Sequence, residues 1–391
     1  MKILFATESY YPNIDGGAVA QHRLVNELAK HGNEVGVLAP GFSLKNSVEQ
    51  DNGSTIFRMR GLTLPFYMDN KYHFSPFPIL QLKKIIKTFK PDVVDICSPY
   101  PIGLSTLIHA KKYGIPIVGS IHILPENMLS PFLNSRYYNV MKKYSWSYLV
   151  YFFNLVDWAT IPTQTGADMY IDRGLKTKIN PISNGVDTKV FNPNNNGKYL
   201  MKKFNIPKEN VVLYTGRINS EKNLDVLVKA IPHVLKEIDT HFLFCGSGGG
   251  YKQKMKKLTE TLHVSDNTTF IDFLDWEDYI NIYSLADLFV MPAEAELQSI
   301  VTMEAIASGL PAVVVNKGAV PELVSLDNGL LFDPKNSKQL ASNIVKISSD
   351  KNLRNTMSKN SLKLIKKHSM NYVCGQFEKV YENVIELYKN K

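Results

Sequence analysis

Residues 286–315, ADLFVMPAEAELQSIVTMEAIASGLPAVVV, decide the fold class of this protein. The apolar run LFVMP near their start and the run PAVVV at their end are both typical of buried strands. The segment between them is apolar on nearly all sides and ends near Gly309, and Ser299 is a suitable N-cap for a helix there. A strand, a helix and a second strand in this order predict a βαβ unit in a parallel sheet.

Strand-like and helix-like segments alternate in the same way along most of the chain. Apolar runs such as KILFAT (2–7) begin one series and VVLYTGR (211–217) begins a second, and the Asn-, Pro- and Gly-rich residues 184–199 between them predict a linker. We therefore predict an α/β fold with two Rossmann-like, doubly wound domains facing a cleft, and a C-terminal helix packing back toward the first domain. The predicted bounds are 1–190 for the first domain, 191–370 for the second and 371–391 for the C-terminal helix.

Length and composition exclude several classes of protein. The 391 residues allow two or three domains. No apolar run approaches the ~20 residues of a membrane-spanning helix, and the apolar part of MKILFATESYYP is too short for a signal peptide. Cys97, Cys245 and Cys374 are few and far apart, which argues against a disulfide scaffold and a metal cluster. We expect a cytoplasmic protein.

A carboxylate inside the apolar helix is the first candidate for chemistry. Glu304 lies four residues after Ile300 on the same face, and an unpaired carboxylate there would cost several kcal/mol. Few donors are evident nearby, whereas a ribose would supply two hydroxyl groups. Glu296 could bind the hydroxyls of a second sugar, and the N–H groups of Gln298, Ser299 and Ile300 form a phosphate seat at the helix N-terminus. The alternative is that both glutamates are structural, one at the helix start and one paired with a distant cation.

Two cations follow the first strand of the second domain, in GRINSEKN (216–223). Arg217 and Lys222 suit a diphosphate, because they can neutralise the charge that develops as it departs. The chain contains no Asp-x-Asp pair of the kind that carries a divalent metal to a diphosphate. We therefore expect no metal and no cofactor other than a nucleotide sugar co-substrate. Taken alone, two basic residues on a loop are most often ordinary surface.

Several segments together resemble a known family, the retaining glycosyltransferases of the GT-B type in family 4 (glycosyl transferases group 1). The resemblance extends over nearly the whole chain. It rests on YYPNIDGGAVAQHRLVNELAKHGNEV (10–35), ISNGVDTKVFNP (182–193), YTGRINSEKN (214–223), FCGSGGG (244–250) and EAELQSIVTMEAIASGLPAVV (294–314).

The resemblance implies a role for individual residues in the second domain. Arg217 and Lys222 would hold the donor diphosphate, Glu304 the ribose, and Glu296 the donor hexose. One departure concerns Gln298-Ser299, where the family often has Phe-Gly, so the shape of the sugar pocket is open. Gln at this place is similar to what is seen in lipid-directed members such as glucosyldiacylglycerol synthases.

The resemblance also implicates residues of the first domain. The backbone at Gly16 and Gly17 would approach the donor phosphates, although paired glycines are more often only a turn. His122 would lie beside the donor sugar and support the developing oxocarbenium ion; the alternative is a polar residue satisfied at a strand end. In the second domain, the spacing of Gly246 in CGSGGG does not fit a dinucleotide fingerprint, so we expect it to shape the nucleotide loop.

The positive charge is concentrated in residues 71–150, which contain ten Lys or Arg and three Asp or Glu. The segment FPILQLKKIIKTFK (77–90) has an apolar and a basic face, and SRYYNVMKKYSWSYLVYFFNLVDW (135–158) mixes basic with aromatic residues. These patterns suit the interface of an anionic bilayer, and no module that reads nucleic acid is visible. The alternative is that the apolar residues are core and the lysines an ordinary solvated face.

We therefore predict a metal-independent hexosyltransferase that retains anomeric configuration. It would move a hexose from a nucleotide diphosphate sugar, UDP-glucose or similar, to an acceptor hydroxyl on a membrane lipid such as diacylglycerol, at the inner face of the membrane. The open alternatives are a soluble or polysaccharide acceptor, a glycosidase, a nucleotide-sugar 2-epimerase, and a non-catalytic nucleotide-sugar-binding module.

Overall fold

The chain forms two compact units. The computed structural model describes residues 1–13, 15–63, 73–76, 78–129, 136–207 and 210–390. One unit comprises Met1–Gly185 together with Met370–Lys391, and the other comprises Val186–Ser369. The sequence places these divisions at 190 and 370.

The first unit is built on an eight-stranded sheet flanked by helices. Its described strands are β1 (Lys2–Ala6), β2 (Glu34–Pro40), β3 (Ser47–Asp51), β4 (Ser54–Met59), β5 (Leu62–Thr63), β6 (His73–Phe74), β7 (Val93–Ile96), β8 (Ile117–Ser120), β9 (Trp158–Ile161) and β10 (Ile179–Pro181). Its described helices are α1 (Gly16–Lys30), α2 (Ile79–Phe89), α3 (Pro101–Tyr113), α4 (Pro125–Met128), α5 (Tyr138–Phe153), α6 (Gln164–Ile171) and the C-terminal α14 (Met370–Lys389).

The order of strands in this sheet is β10-β9-β8-β7-β1-β2-β4-β3. All neighbours are parallel except β3 and β4, and β5 and β6 form a separate antiparallel pair. The chain builds the sheet outward on both sides of β1, so β1 and β7 flank the point where the strand order reverses. Ligands of open α/β sheets bind beyond the carboxyl ends of strands at such a point.

The second unit repeats this plan with six parallel strands in the order β13-β12-β11-β14-β15-β16. The strands are β11 (Asn210–Thr215), β12 (Thr240–Cys245), β13 (Thr268–Ile271), β14 (Leu288–Met291), β15 (Ala312–Val315) and β16 (Gly329–Phe332). The α-helices are α7 (Lys198–Lys203), α8 (Leu224–Val234), α9 (Gly249–Thr261), α10 (Trp276–Asn281), α11 (Ile300–Ala307), α12 (Ser337–Ser349) and α13 (Lys351–Leu364). Short 3₁₀ turns occur at Ser220–Lys222, Ser265–Asn267, Ile282–Leu285, Val320–Leu323 and Ile365–His368.

The predicted doubly wound α/β fold is therefore confirmed in both units. Central strands such as β12, β14 and β15 are buried along their whole length, because helices cover both faces of a parallel sheet. No helix among the described residues combines the length and the apolar character that crossing a bilayer requires.

The two basic helices of the first unit differ in what they bury. The apolar face of α2, with Leu82, Ile85, Ile86 and Phe89, is buried, so for this helix the core alternative is correct. In α5, Trp146, Leu149, Val150, Phe152 and Phe153 are buried. Five apolar or aromatic residues at or near α5 are nevertheless exposed: Tyr137, Val140, Tyr144, Tyr148 and Tyr151. Phe77 and Ser135, which begin the two predicted segments, lie outside the described residues.

The C-terminal helix α14 packs on the first unit, as predicted. Val373, Phe377 and Val384 join the core formed by β1, β2 and α1. At its centre, the Tyr381 hydroxyl donates to Asp95 Oδ2 at 2.6 Å, and Ser120 Oγ donates to the same atom at 2.9 Å. Burial raises the pKa of Asp95 from 3.8 to about 6, against the lowering effect of these hydrogen bonds.

The burial of Asp95 predicts a pH dependence of stability. Because its pKa is higher in the folded protein, the carboxyl group binds a proton more tightly there. The contribution of Asp95 to the free energy of unfolding is fully present below about pH 4. As the pH rises through about 6, about 3 kcal/mol of this free energy is lost. Asp95→Asn should remove this part of the pH dependence, measured by urea unfolding between pH 4 and 7. Asp266→Asn changes an exposed carboxyl group and should leave the pH dependence of the free energy of unfolding unchanged. If Asp95→Asn also leaves this pH dependence unchanged, its assignment to Asp95 is contradicted.

Candidate functional site

Two loops meet at the reversal point of the second sheet. Residues 216–223 follow β11, and residues 292–299 follow β14, and these two strands are paired in parallel through Val212–Leu288 and Leu213–Phe289. Because the carboxyl ends of neighbouring parallel strands lie at the same sheet edge, both loops reach one place. The predicted site residues Arg217, Lys222 and Glu296 lie on these loops.

The structure brings Lys222 and Glu296 into direct contact. Lys222 Nζ lies 2.5 Å from Glu296 Oε1, and their side chains are only 13% and 15% exposed. A short charge-assisted hydrogen bond of this kind neutralises both groups in a place with little access to water. A ligand bound here would offer an anion to the lysine and a hydroxyl group to the glutamate.

Arg217 has a different carboxylate partner. Its guanidinium contacts Glu221 Oε1 at 2.9 Å, four residues further along the chain, and its side chain is 40% exposed. The backbone carbonyl of Arg217 accepts a hydrogen bond from the buried Tyr214 hydroxyl at 2.8 Å. The backbone is therefore fixed, while the exposed guanidinium can exchange one anionic partner for another.

The N-terminus of α11 has the predicted cap. Ser299 Oγ accepts a hydrogen bond from Thr302 N at 3.3 Å and from Thr302 Oγ1 at 2.7 Å. Gln298 and Ser299 are buried, and Ile300 is the first residue of the helix. The positive end of the α11 dipole is thus directed at the loop that contains Glu296.

Glu304 has protein donors that the sequence analysis did not find. It is buried, and its Oε2 accepts hydrogen bonds from the Tyr279 hydroxyl at 2.5 Å and from the Tyr283 hydroxyl at 2.8 Å. The expectation that the nearby chain supplies few donors is therefore wrong. The assignment of Glu304 to ribose now rests on the resemblance and no longer on a shortage of partners.

The two tyrosines join α11 to the end of β11. Tyr283 also lies 3.0 Å from Thr215 Oγ1, the last residue of β11. Burial, and then the charge of Glu304, raise the pKa of Tyr283 well above its usual value, so its hydroxyl keeps its proton. In the sequence, Tyr279 and Tyr283 are four residues apart in a segment that also contains Trp276. This spacing indicates that their side chains share one helical face.

Gly246, which follows β12, packs closely against the loop after β11. A Cβ at Gly246 would lie 1.9 Å from the carbonyl oxygen of Gly216, and one at Gly248 would lie 2.1 Å from that of Ile218. The two loops are also joined by the hydrogen bond from Ile218 N to Ser247 O at 2.7 Å. Only glycine permits this approach, which places Arg217.

In the first unit the structure places Gly17 beside His122. Gly16 and Gly17 begin α1 after Asp15, whose Oδ1 accepts from Ala18 N at 3.0 Å. A Cβ at Gly17 would lie 3.7 Å from His122 Cβ. His122 follows β8 and is half-buried, and desolvation lowers its pKa to about 4, against the raising effects of Asp15 and Asn184. The imidazole is therefore neutral at physiological pH.

Glu8 is a titratable group that the sequence analysis missed. It follows β1 at the reversal point of the first sheet, where its Oε1 accepts from Ile102 N at 2.6 Å and its Oε2 accepts from Ser98 Oγ. Burial raises its pKa to about 7. Only the adjacency of β1 and β7 reveals it, because Ser98 and Ile102 lie far along the chain.

Two family models match the chain. The model described as "Glycosyl transferases group 1" matches residues 198–364, and the model described as "Glycosyltransferase Family 4" matches residues 14–190. The chain belongs to the family 4, group 1 glycosyltransferases. The resemblance stated from the motifs is thus confirmed, and the donor sugar and acceptor are not determined by it.

Several known proteins are similar to this chain over most of its length. Sulfoquinovosyl transferase SQD2 of Arabidopsis thaliana is 26% identical and covers 91% of this chain and 68% of its own length. Alpha-monoglucosyldiacylglycerol synthase of Streptococcus pneumoniae is 24% identical, with 83% and 73% covered. The crystal structure of Anabaena HepE in complex with UDP and glucose has a TM-score of 0.75 and 18% identity, with 98% and 100% covered. This similarity confirms the GT-B fold.

The environment of His122 predicts its titration. Since its pKa is lowered to about 4, its ring should stay neutral down to about pH 5. His31, whose pKa Glu378 raises above 6.5, should titrate well above it and serves as the internal comparison. NMR spectra of the nine histidines from pH 4 to 8 measure both, with the His122 signal assigned from a His122→Gln variant. Titration of His122 near 6.5 would show that water reaches the ring.

Proposed function

We propose that this glycosyltransferase moves a hexose from a nucleotide diphosphate sugar, UDP-glucose or similar, to a hydroxyl group of a membrane lipid. The contact between Lys222 and Glu296 at the reversal point of the second sheet carries this proposal. It supplies a cation for a phosphate and a carboxylate for a sugar hydroxyl within one small region. The family membership supports the reaction class, and the UDP and glucose bound by HepE support the class of donor.

The donor would bind along the second unit. Lys222 and Arg217 would hold the diphosphate beside the N-terminus of α11, where the helix dipole adds to their charge. Glu296 would accept hydrogen bonds from the hexose, and Glu304 would accept from the ribose hydroxyls. Arg217 would exchange Glu221 for phosphate, and Lys222 would share its charge between phosphate and Glu296.

The reaction would proceed on one face of the sugar. The bond between the anomeric carbon and the phosphate oxygen breaks, and its electron pair stays on the departing phosphate. The acceptor oxygen then bonds to the anomeric carbon from the same side, and its proton goes to the departing phosphate. Lys222, Arg217 and the α11 dipole stabilise the charge that develops, so the proposal assigns no metal to this step. His122, neutral at physiological pH, would support the oxocarbenium ion with a lone pair.

The surface of α5 supports a lipid acceptor. Tyr144 and Tyr151 are 69% and 65% exposed on this helix. A surface pocket of about 410 Å³ lies against another part of α5, and it is lined by Asn139, Lys142, Lys143, Trp146, Ser147 and Arg173. The Arg173 guanidinium lies 4.2 Å from the centre of the Trp146 ring. Exposed aromatic rings next to cations suit the interface of an anionic bilayer.

The name of one relative points the same way. It is a synthase of alpha-monoglucosyldiacylglycerol, and the lipid acceptor proposed for this protein is of that class. A soluble or polysaccharide acceptor is the alternative within the same family.

Incubation of the protein with a panel of UDP and GDP sugars and a membrane-lipid extract, with products identified by mass, decides the donor and the acceptor. Sugar conversion without acceptor would indicate an epimerase, and binding without turnover a regulatory module.

Removal of either charge of the Lys222–Glu296 pair should abolish transfer of the hexose. Lys222→Ala and Glu296→Ala are each expected to lower turnover by about 100-fold or more, because each removes a group that stabilises bound donor or departing phosphate. Each variant also leaves its former partner unpaired, which lowers stability. Turnover and thermal unfolding are therefore measured on the same preparations.

A double variant separates the catalytic from the structural effect. Lys222→Ala/Glu296→Ala leaves no unpaired charge, so it should regain stability without regaining transfer. The control is Lys229→Ala/Asp225→Ala, which removes an exposed pair with a 2.7 Å contact on α8 and should keep normal turnover. Near-normal turnover in either single variant would overturn the assignment of the donor site.

Attachment to membranes is expected to depend on salt and on α5. The protein should sediment with anionic vesicles at low salt and be released at high salt, because ions screen the attraction. Lys142→Ala/Lys143→Ala should weaken binding about 10-fold or more, at about 1 kcal/mol for each charge. Lys257→Ala/Lys359→Ala removes two exposed charges from the second unit and is the matched control. Equal binding by both double variants would show that α5 is not the membrane surface.

A further inference from the structure

Three potential metal ligands from distant parts of the chain converge at the end of α1. His31 is the C-cap of α1, and Cys374 and Glu378 lie one turn apart on α14. His31 Nδ1 lies 3.0 Å from Glu378 Oε2 and 3.4 Å from Cys374 Sγ. The three ligand atoms all lie within 4.8 Å of one another.

These separations are close to those of a zinc centre. In a tetrahedral site with bonds of about 2.0 to 2.3 Å, neighbouring ligand atoms are about 3.3 to 3.8 Å apart. The two contacts of His31 Nδ1 therefore need to change by only a few tenths of an ångström. The separation of Cys374 Sγ from the Glu378 carboxylate, which is within 4.8 Å, needs to shorten by no more than about 1.3 Å. One imidazole, one thiolate and one carboxylate form a ligand set that suits Zn²⁺.

Two asparagines hold the ligands in the orientation that a metal requires. His31 Nε2 lies 3.1 Å from Asn371 Oδ1, and this contact directs the ring proton to Nε2. His31 Nδ1 faces the thiol and the carboxylate, and it offers its lone pair to an ion once the proton that it shares with Glu378 Oε2 has left. Asn33 Nδ2 donates to Glu378 Oε1 at 2.8 Å, which leaves Oε2 for the ion. Hydrogen bonds to the outer atoms of ligating His and carboxylate groups are typical of metal sites.

We propose that His31, Cys374 and Glu378 bind a transition-metal ion of the Zn²⁺ type, with water as the fourth ligand. When the ion binds, the thiol proton and the proton between His31 Nδ1 and Glu378 Oε2 pass to solvent, so that a thiolate, a neutral imidazole and a carboxylate surround the cation. Cys374 is buried, whereas the side chains of His31 and Glu378 are partly exposed and give the ion and the water an entry path.

The ion would fasten the C-terminal helix to the first unit. It would link α14 to the end of α1, in addition to the apolar contacts of Val373 and Phe377. Gly16 and Gly17 lie at the other end of this 15-residue helix, about 20 Å away. The site is therefore separate from the first-unit residues assigned to the donor, and the inference does not depend on the proposed transfer reaction.

Titration with Co²⁺ tests the site through a spectroscopic signal of the thiolate. Metal-free protein should bind one equivalent of Co²⁺ and show the thiolate-to-cobalt charge-transfer band, which Zn²⁺ should abolish by displacement. Zn²⁺ should also raise the Tm. Cys374→Ala should lose the band, and His31→Ala and Glu378→Gln should bind Zn²⁺ about 100-fold more weakly or worse.

Cys245→Ala, which removes a buried thiol from β12 in the second unit, is the control and should keep the band. Glu378→Gln keeps an oxygen for the hydrogen bond from Asn33, so it tests the site even if Cys374→Ala does not fold. The inference is overturned if one equivalent of Co²⁺ gives no band, if the band persists in Cys374→Ala, or if Glu378→Gln binds Zn²⁺ as tightly as the unaltered protein.

Discussion

The parallel pairing of β11 with β14 is the constraint on which the donor site depends. The two strands are far apart in the chain but adjacent in the sheet, at the place where the strand order reverses. Each ends in a loop at the same edge of the sheet. Lys222 and Glu296 are in contact because of this adjacency. Gly246 allows the loop after β12 to pack closely against the loop after β11.

Desolvation explains how the polar groups near the sheet edges are arranged. A buried carboxylate loses its water and requires donors from the protein. Glu304 obtains them from two tyrosines, Asp95 from Tyr381 and Ser120, and Glu8 from Ser98 and the start of α3. Where desolvation raises the pKa more than these hydrogen bonds lower it, the pKa of the carboxyl group rises, as it does for Asp95 and Glu8.

The loops and the helix of the donor site differ in how easily they can change partners. Ser299 and Thr302 fix the start of α11, and Tyr283 ties this helix to the end of β11, so the frame is rigid. The guanidinium of Arg217, by contrast, is partly exposed and contacts the carboxylate of Glu221, four residues further along the chain. A rigid frame with exchangeable cations is suited to hold an anion in transit, since little reorganisation is needed when the charge moves.

The sequence by itself determined the two α/β units, the helix cap at Ser299 and the family, because these depend on local periodicity and short motifs. It also located the loops that contain Arg217, Lys222 and Glu296. Only the tertiary structure decided which partners these groups have. The spacing of residues does not reveal the hydrogen bonds from the two tyrosines to Glu304. It also does not reveal the burial of the α2 apolar face or the contact of His31 with Cys374. Such contacts join residues far apart in the chain, and they form only when strands and helices pack and water is excluded between them.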